Sequence, residues 1–205
     1  MQNISRHEFI QQFQLHLPAA YPQESLRRVA HLAPEKLRKA SVLIGVVERP
    51  QGLQVIMTKR AAHLRHHPGQ ISFPGGKYEE SDHSLQQTAK REAREEIGIP
   101  EEKIRIVGQL PELVTVSQFA VTPFFSFCRI RLTRFSSITT KSMKCLKCRS
   151  VFCLDRKKIY QRDFSVKKHR HKLFALSYKQ HFIWGMTAQI IQSLQKQFIN
   201  YNELV

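Results

Sequence analysis

The sequence contains no long hydrophobic run. None of its apolar stretches approaches the roughly 20 residues that a membrane-spanning helix needs. The first segment, MQNISRHEFIQQFQLHL, also lacks the basic start and following apolar block that mark a secretory signal. We therefore expect a soluble, cytoplasmic protein with no membrane partner.

Cysteines and acidic residues are both scarce. Four cysteines in 205 residues do not suggest the disulfide framework of a small secreted protein. The 16 Asp and Glu are outnumbered by 33 Lys and Arg, which gives a formal net charge of +17. This charge indicates either an anionic partner or a local anomaly that inflates the sum. Residues 129–149 favour the anomaly, because they hold seven Lys or Arg and no acid.

The pattern along the chain predicts an α/β domain in which strands alternate with helices. The first 40 residues have helical spacing, and two β-rich runs around PQG predict a hairpin. Residues 61–82 are rich in Pro and Gly and are expected to form a loop. Two further strands are predicted in KIRIVGQLPELVTV and FAVTPFFSFCRI, and a C-terminal helix in HFIWGMTAQIIQSLQKQF.

A helix is predicted from about Asp82 to Ile97, with Ser81 or Asp82 as its N-terminal cap and Gly98 as a left-handed C-terminal cap. At about 100° per residue, the apolar side chains of this helix form one stripe that faces the core. The positions on this stripe are Leu85, Ala89, Ala93 and Ile97.

Three glutamates crowd the same helix. Glu92 and Glu96 border the apolar stripe, and Glu95 lies further round, away from the basic residues of the opposite face. A partly buried group of carboxylates needs a cation. That cation is either an arginine, in a salt-bridged helix, or a hard divalent metal ion. The glycine turn FPGG before the helix favours the metal, because glycine lets a ligand approach the backbone.

These residues resemble the signature of the Nudix hydrolases. The core of that signature is R-E-U-x-E-E-x-G-U, and REAREEIGI, residues 91–99, matches each specified position. The upstream stretch IMTKRAAHLRHHPGQISFPGG, residues 56–76, is similar to the motif of the coenzyme A pyrophosphatase branch. The box departs from the general pattern in having Asp82 where Glu is usual and one extra residue before Arg91.

The resemblance implies a fold and a set of site residues. The expected fold is a Nudix-type α/β/α sandwich with a mixed sheet, formed by one domain over residues 1–205 with its Nudix box at about 76–99. Glu92 and Glu96 are the implied ligands of Mg²⁺ or Mn²⁺. Glu95 is a further ligand or the base that activates water, and Arg91 orients a glutamate. Four more residues are implied to bind substrate: Arg60, Arg65, Gly75 and Gly76.

Other clusters carry weaker signals. Arg60 and Arg65 have two possible interpretations, either as contacts to a substrate phosphate or as solvent-exposed charges. Two groups of side chains could bind a transition metal, but neither is favoured. They are the four cysteines and the histidines His63, His66 and His67. The basic run at 167–172 is interpreted as a solvated face, so nucleic acid is not the expected partner. The sequence is also compatible with a homodimer.

The segment RIRLTRFSSITTKSMKCLKCRS, residues 129–150, does not match its surroundings. Members of the resembled family have acids here, and this segment has none. Two hypotheses are a local reading-frame shift, restored near Phe152, and a divergent basic insert that binds an anion. If the segment is genuine, it places activity in doubt.

The implied reaction is metal-dependent hydrolysis of the pyrophosphate bond of coenzyme A and its thioesters. Its products would be phosphopantetheine, or its acyl form, and adenosine 3′,5′-bisphosphate. One alternative is hydrolysis of another nucleoside diphosphate derivative, such as an ADP-sugar or a dinucleotide. Another is a basic RNA-binding protein whose catalysis has decayed.

Overall fold

The computed structural model describes residues 5–18, 20–63, 68–130, 143–166 and 169–198. Its helices are α1 (Arg6–Leu15), α2 (Gln23–Arg27), α3 (Leu85–Ile97), α4 (Ser150–Leu154) and α5 (Met186–Gln197). The first strands are β1 (Arg38–Arg49), β2 (Gly52–Arg60), β3 (Ile71–Ser72) and β4 (Gly75–Lys77). The later strands are β5 (Ile104–Gln109), β6 (Leu113–Val114), β7 (Phe119–Cys128), β8 (Met143–Arg149), β9 (Tyr160–Val166), β10 (His169–Tyr178) and β11 (His181–Trp184).

Within these residues the main sheet is mixed, as the sequence predicts. Its central path is β3-β2-β1-β7-β5, with β4 paired to β1, β6 to β7 and β8 to β2. The β1–β7 pair is parallel, whereas β1–β2 and β5–β7 are antiparallel. The hairpin predicted around PQG joins β1 to β2. A second, antiparallel sheet has the order β11-β10-β9.

Helices cover both faces of the main sheet. Alternate side chains of β1 point to opposite faces and therefore contact different helices. Leu43 and Val47 pack against the apolar stripe of α3. Ile44 and Val46 point the other way, into a core that includes side chains of α1 and α5. In that second core Phe13 of α1 stacks on Phe125 of β7, with ring centroids 4.4 Å apart. The layers form the expected α/β/α sandwich.

The N-terminal prediction is only partly right. Helices occupy Arg6–Leu15 and Gln23–Arg27, but the first 40 residues are not continuously helical, and β1 already begins at Arg38. Helix α1 starts with a capping box, in which Ser5 and Glu8 exchange hydrogen bonds of 3.3 and 2.8 Å. Pro18 follows the end of α1, since proline cannot continue a helix. Pro34 instead begins a short 3-10 helix, Pro34–Lys36, just before β1.

Two other boundaries are wrong. The predicted loop at 61–82 contains β3 and β4, so Gly75 and Gly76 lie inside a strand and do not follow one. The predicted C-terminal helix begins only at Met186, because residues 181–184 form β11 and pair with β10. Both errors concern strands of only two to four residues, which are too short to show a periodic pattern.

The basic segment at 129–150 is described only in part. Residues 143–149 form β8, which pairs antiparallel with β2 over the register Gln54–Arg149 to Arg60–Met143. Residues 131–142 lie outside the described part of the chain. The frame-shift and insert hypotheses both stay predictions. None of the described helices has the length and apolar character needed to cross a membrane.

Candidate functional site

Helix α3 is fixed at both ends by local hydrogen bonds. The Ser84 hydroxyl accepts a hydrogen bond of 3.2 Å from the backbone N–H of Gln87 and so caps the N-terminus. The prediction of Ser81 or Asp82 as cap is wrong, since the Asp82 carboxylate is used elsewhere. The predicted C-terminal cap is confirmed, because Gly98 has a left-handed backbone with φ 65°.

The glutamates take the positions that the helical spacing predicts. Ala89 and Ala93 are fully buried against β1 and β7. Glu92 and Glu96 are half-buried beside this stripe, and Glu95 is exposed. Two carboxylates one turn apart therefore share the rim of the core, while the third reaches solvent.

The glycines of β4 bring the main chain against these carboxylates. A side chain at Gly76 would overlap the carboxylate of Glu92, and one at Gly75 would overlap the backbone of Ser41 and Val42. Strand β4 can therefore lie between β1 and α3 only without side chains at both positions. Gly76 thus makes room for the Glu92 carboxylate, and Gly75 makes room for the backbone of β1.

Arg91 and Asp82 form a two-pronged pair. Arg91 Nε donates to Asp82 Oδ1 at 2.9 Å, and Nη2 donates to Oδ2 at 3.1 Å. Asp82 is 3 % exposed and also accepts hydrogen bonds from the Thr88 hydroxyl at 2.8 Å and the Glu79 backbone at 3.1 Å. The Arg91 guanidinium is the main cause of the lowered Asp82 pKa, which is about 2.

The remaining donors of Arg91 point to the glutamates and to β4. Its Nη1 lies 3.0 Å from Glu92 Oε1 and 3.4 Å from Glu95 Oε2, and its Nη2 donates to the Lys77 carbonyl at 3.1 Å. One guanidinium thus joins α3, β4 and the loop that contains Asp82. Arg91 therefore forms ion pairs with both Glu92 and Glu95, which are the contacts that a salt-bridged helix requires.

Glu96 differs from its two neighbours. Its Oε2 is buried without a hydrogen-bond partner among the described residues. Burial, followed by the charge of Glu92, raises the Glu96 pKa to about 8, while the Gly75 N–H and the charge of Arg60 act in the opposite direction. Burial is also the largest cause of the raised Glu92 pKa, which Arg91 opposes.

The unpartnered Oε2 of Glu96 bears on whether these residues could hold a cation. A buried carboxylate oxygen without a donor is costly, and a divalent ion between Glu92 and Glu96 would remove that cost. In the described parts of the chain, no three His, Cys, Asp or Glu side chains are grouped as a metal cage. The Glu92–Glu96 pair therefore suits an ion that keeps water and substrate oxygens as further ligands.

Some of the sequence-derived candidates lie near this pair and others do not. Arg60, at the end of β2, acts on the Glu96 carboxylate through its charge. Arg65, His66 and His67 lie outside the described residues. The basic run 167–172 is described only from His169 onwards, where it forms part of β10.

The cysteines do not gather into one cluster. Cys148 and Cys153 are buried with their sulfur atoms 3.2 Å apart, where β8 leads into α4. Cys128 lies at the end of β7, with its sulfur 3.9 Å from the Ser126 hydroxyl. All four cysteines are free thiols.

Sequence reasoning missed the part played by Asp82 and Thr88. The sequence pattern indicates Asp82 as a helix cap and as the acidic position of the Nudix box, not as the partner of Arg91. The nine-residue separation of Asp82 and Arg91 is the signal that could have linked them, because a helix starting between the two brings them together.

The comparison with known families decides the identity of the fold. The NUDIX domain family matches residues 37–142, which include β1, β4 and all of α3. The chain belongs to the Nudix hydrolase family. This membership supports a pyrophosphohydrolase that acts on small nucleotide substrates.

Curated relatives agree over nearly the whole chain. An uncharacterized Nudix hydrolase NudL of Pectobacterium atrosepticum is 38 % identical over 192 residues, which cover 93 % of each chain. Another NudL, from Photorhabdus laumondii, is 34 % identical and is matched over 95 % of this chain and 98 % of its own length.

Solved structures with a related fold are more distant. A MutT/nudix family protein of Enterococcus faecalis is 14 % identical, with a TM-score of 0.47, over 95 % of this chain and 74 % of the other. An Ap4A hydrolase of C. elegans is 17 % identical, with a TM-score of 0.42, over 54 % of this chain and 79 % of the other.

Proposed function

We propose that this Nudix hydrolase cleaves the pyrophosphate bond of coenzyme A and its thioesters in a reaction that depends on Mg²⁺ or Mn²⁺. Water adds across the P–O–P bridge and yields phosphopantetheine, or its acyl form, with adenosine 3′,5′-bisphosphate. The observation that carries the proposal is the Glu92–Glu96 pair, half-buried beside β4 with one oxygen unpartnered. The choice of coenzyme A rests on the similarity of residues 56–76 to the motif of that branch.

Glu92 and Glu96 are proposed as the residues that hold the metal ion. Their four-residue spacing directs both carboxylates to the same side of α3. A divalent ion held by these carboxylates would neutralise diphosphate oxygens and lower the pKa of a water molecule. The half-buried position of the pair limits competition from bulk water, which strengthens the attraction for a cation.

Arg91 is proposed to position Glu92. Its two hydrogen bonds to Asp82 fix the guanidinium plane, and the remaining nitrogen holds Glu92 at 3.0 Å. A side chain fixed in this way loses little further entropy when substrate binds. Because Arg91 also contacts the Lys77 carbonyl, it holds β4 at a constant separation from the helix.

Glu95 is proposed as a further metal ligand or as the base that takes a proton from the attacking water. Its side chain is 51 % exposed and lies 3.4 Å from Arg91. Exposure gives Glu95 access to solvent, which a group that accepts and releases protons requires. Its position one turn from Arg91 also keeps it on the side of α3 where Glu92 lies.

Arg60 is proposed to contact a substrate phosphate. Its charge already reaches the Glu96 carboxylate, and guanidinium geometry suits phosphate oxygens. Gly75 and Gly76 are proposed to let the diphosphate approach the backbone of β4, since neither carries a side chain. Arg65 is assigned to substrate binding only through the sequence motif.

A substrate panel tests the proposal. Purified protein is incubated with coenzyme A, acetyl-coenzyme A, an ADP-sugar and a dinucleotide, with Mg²⁺, with Mn²⁺ and with a chelator. We expect the coenzyme A compounds to be cleaved with the highest kcat/KM, adenosine 3′,5′-bisphosphate to appear, and the chelator to abolish turnover. A wide preference for the ADP-sugar or the dinucleotide would refute coenzyme A as substrate.

The same preparation tests the RNA-binding alternative. Salt-sensitive RNA binding without hydrolysis of any diphosphate would favour a protein with decayed catalysis. Activity on any diphosphate in the panel would count against it.

A further inference from the structure

A cleft of about 300 Å³ lies between the two sheets and is not used by the carboxylate site. Its walls come from α2, from the chain around β6, and from β10, β11 and the start of α5. Val29, Leu113, Val116 and Leu173 make much of the lining apolar, and Trp184 supplies an aromatic ring. A cleft of this size accommodates a small planar ring system.

Strand register explains why the rings of β11 are uncovered. Trp184 lies directly opposite Ala175 of β10, and Phe182 lies opposite Ser177. Residues that face each other across antiparallel strands share one side of the sheet, and neither Ala nor Ser is large enough to cover an aromatic ring. Trp184 is 43 % exposed and Phe182 is 56 % exposed. The rings are thus free to stack on a ligand.

The charge around the cleft is positive. Arg28 and Lys172 are among its lining residues, and no described residue of the lining is acidic. Lys59 lies in a neighbouring cleft that shares Gln70 and Trp184 with this one. An apolar, aromatic slot with cations at its rim complements a nucleobase that is linked to phosphate groups.

The cleft is connected to the carboxylate site through Gln70. The backbone N–H of Arg60 donates to the Gln70 carbonyl at 2.9 Å, and the Arg60 charge acts on Glu96. On the other side, the Thr187 hydroxyl donates to the Ile71 carbonyl at 3.0 Å and ties the start of α5 to β3. Residues 70–71 are therefore flanked by Arg60 and by the wall that carries Trp184.

From these observations we propose that the cleft binds the adenine ring of the substrate, with Trp184 as the stacking residue. The inference rests on the proposed function only in requiring that the substrate carry an adenine nucleotide. Adenosine 3′,5′-bisphosphate is one half of coenzyme A, and its phosphates would face Arg28 and Lys59. Phosphopantetheine, the other half, has no aromatic ring to stack.

The single tryptophan of the sequence makes the site directly observable. Intrinsic fluorescence of the wild-type protein is titrated with adenosine 3′,5′-bisphosphate and, separately, with phosphopantetheine. We expect saturable quenching by the bisphosphate and none by phosphopantetheine. Quenching by phosphopantetheine alone, or by neither compound, would overturn the proposal, even if coenzyme A is hydrolysed.

Variants give a second measurement. Trp184→Leu should raise KM for coenzyme A about tenfold or more while kcat changes little, because stacking binds substrate without entering the chemistry. Trp184→Phe keeps a ring and should raise KM less. Val116→Glu places an acid at a wall position that is 56 % exposed, and it too should raise KM.

Leu17→Glu serves as the matched control, because Leu17 is 94 % exposed and does not line the cleft. It should leave KM unchanged. Unchanged KM in both Trp184→Leu and Val116→Glu would overturn the proposal. If Trp184→Leu fails to fold, Val116→Glu and the wild-type titration decide the outcome. Quenching by the bisphosphate without hydrolysis of coenzyme A would refute the proposed function and support the adenine site.

Discussion

Arg91 and Asp82 are joined by two hydrogen bonds of 2.9 and 3.1 Å, although they lie nine positions apart in the sequence. Their contact links the loop before α3 to the middle of that helix. Because the same guanidinium also holds Glu92, the orientation of a proposed metal ligand depends on a residue outside the helix.

The first prediction concerns Arg91→Lys. Lysine keeps the positive charge but cannot reproduce the planar fork, so it cannot bind both Asp82 oxygens and Glu92 at once. We expect kcat to fall roughly tenfold to a hundredfold, with a smaller change in KM, because Glu92 is no longer held in place. Steady-state kinetics with coenzyme A measures both constants.

Arg94→Lys is the matched control for this change. Arg94 lies on the same helix, but its side chain is 55 % exposed and pairs with Glu101 at 2.9 Å. Its substitution should alter kcat by less than about twofold, since exposed ion pairs contribute little. Equal losses in both variants would contradict a specific role for Arg91.

The second prediction is a pH dependence of stability that arises from Asp82. Its pKa is lowered from 3.8 to about 2 in the folded protein, chiefly by Arg91. A lowered pKa stabilises the fold above the unfolded value, so the contribution is complete above about pH 4 and lost as the pH falls towards 2. At about 1.4 kcal/mol per pH unit, it amounts to about 2 kcal/mol.

Asp82→Asn isolates this contribution. The free energy of unfolding of wild type and variant is measured by urea denaturation between pH 2 and pH 7. Their difference should be about 2 kcal/mol at neutral pH and should shrink towards zero at the acidic end. Glu80→Gln removes an exposed carboxylate nearby and should show no such trend. A difference that stays constant with pH would show that the Arg91 pair is not its source.

The third prediction is that Gly76→Ala lowers activity more than stability. The added methyl group would overlap the Glu92 carboxylate, which can move towards solvent. We expect kcat to fall roughly a hundredfold, since displacement of a positioned group by about 1 Å can cost that much. The melting temperature should change by only a few degrees.

Gly45→Ala is the control for an added methyl group in the same sheet. At Gly45 the new methyl would approach the Cys128 sulfur to 3.3 Å, in the core and away from the glutamates. It should lower the melting temperature with little effect on kcat per folded molecule. If Gly76→Ala behaves in the same way, the contact between Gly76 and Glu92 has no functional role.

Local signals predicted the candidate helix well. Ile97 and Gly98 end α3 where the sequence places its end, because a left-handed glycine cap depends on a few neighbouring residues. The burial of Ala89 and Ala93 follows in the same way from helical spacing. The predicted start of the helix was wrong, because Asp82 binds Arg91 and Ser84 caps the helix instead. Local capping rules do not include such a contact.

Very short strands and contacts between separate elements were not predictable from the sequence. Phe182 reads as part of a helix, but its partner is Ser177 across a turn, and four residues give too short a pattern to identify a strand. The approach of Arg60 to Glu96 likewise depends on how β2 packs beside α3. The adenine cleft, which combines five elements, left no continuous sequence signal.

The last prediction distinguishes a metal site from a salt-bridged helix. Glu92→Gln and Glu96→Gln each keep the size of the side chain but remove a negative charge that would hold the ion. We expect turnover to fall about a hundredfold or more, equivalent to about 3 kcal/mol of activation free energy. Without metal both variants should fold, and Glu96→Gln should melt at the same or a higher temperature, since it no longer buries an ionisable carboxyl group beside Glu92.

A binding measurement makes this prediction independent of turnover. Mg²⁺ or Mn²⁺ should raise the melting temperature of the wild-type protein, because an ion that binds only the folded state stabilises it by mass action. The rise should be absent in Glu96→Gln and in Glu92→Gln. Lys90→Gln, a change on the same helix away from the glutamates, should keep this rise in melting temperature.

The salt-bridge interpretation predicts the opposite pattern. Activity and the response to metal would be retained in both glutamine variants. Glu92→Gln would lower the melting temperature, because it loses its contact with Arg91. Near-normal turnover in both glutamine variants would refute the assignment of Glu92 and Glu96 as metal ligands.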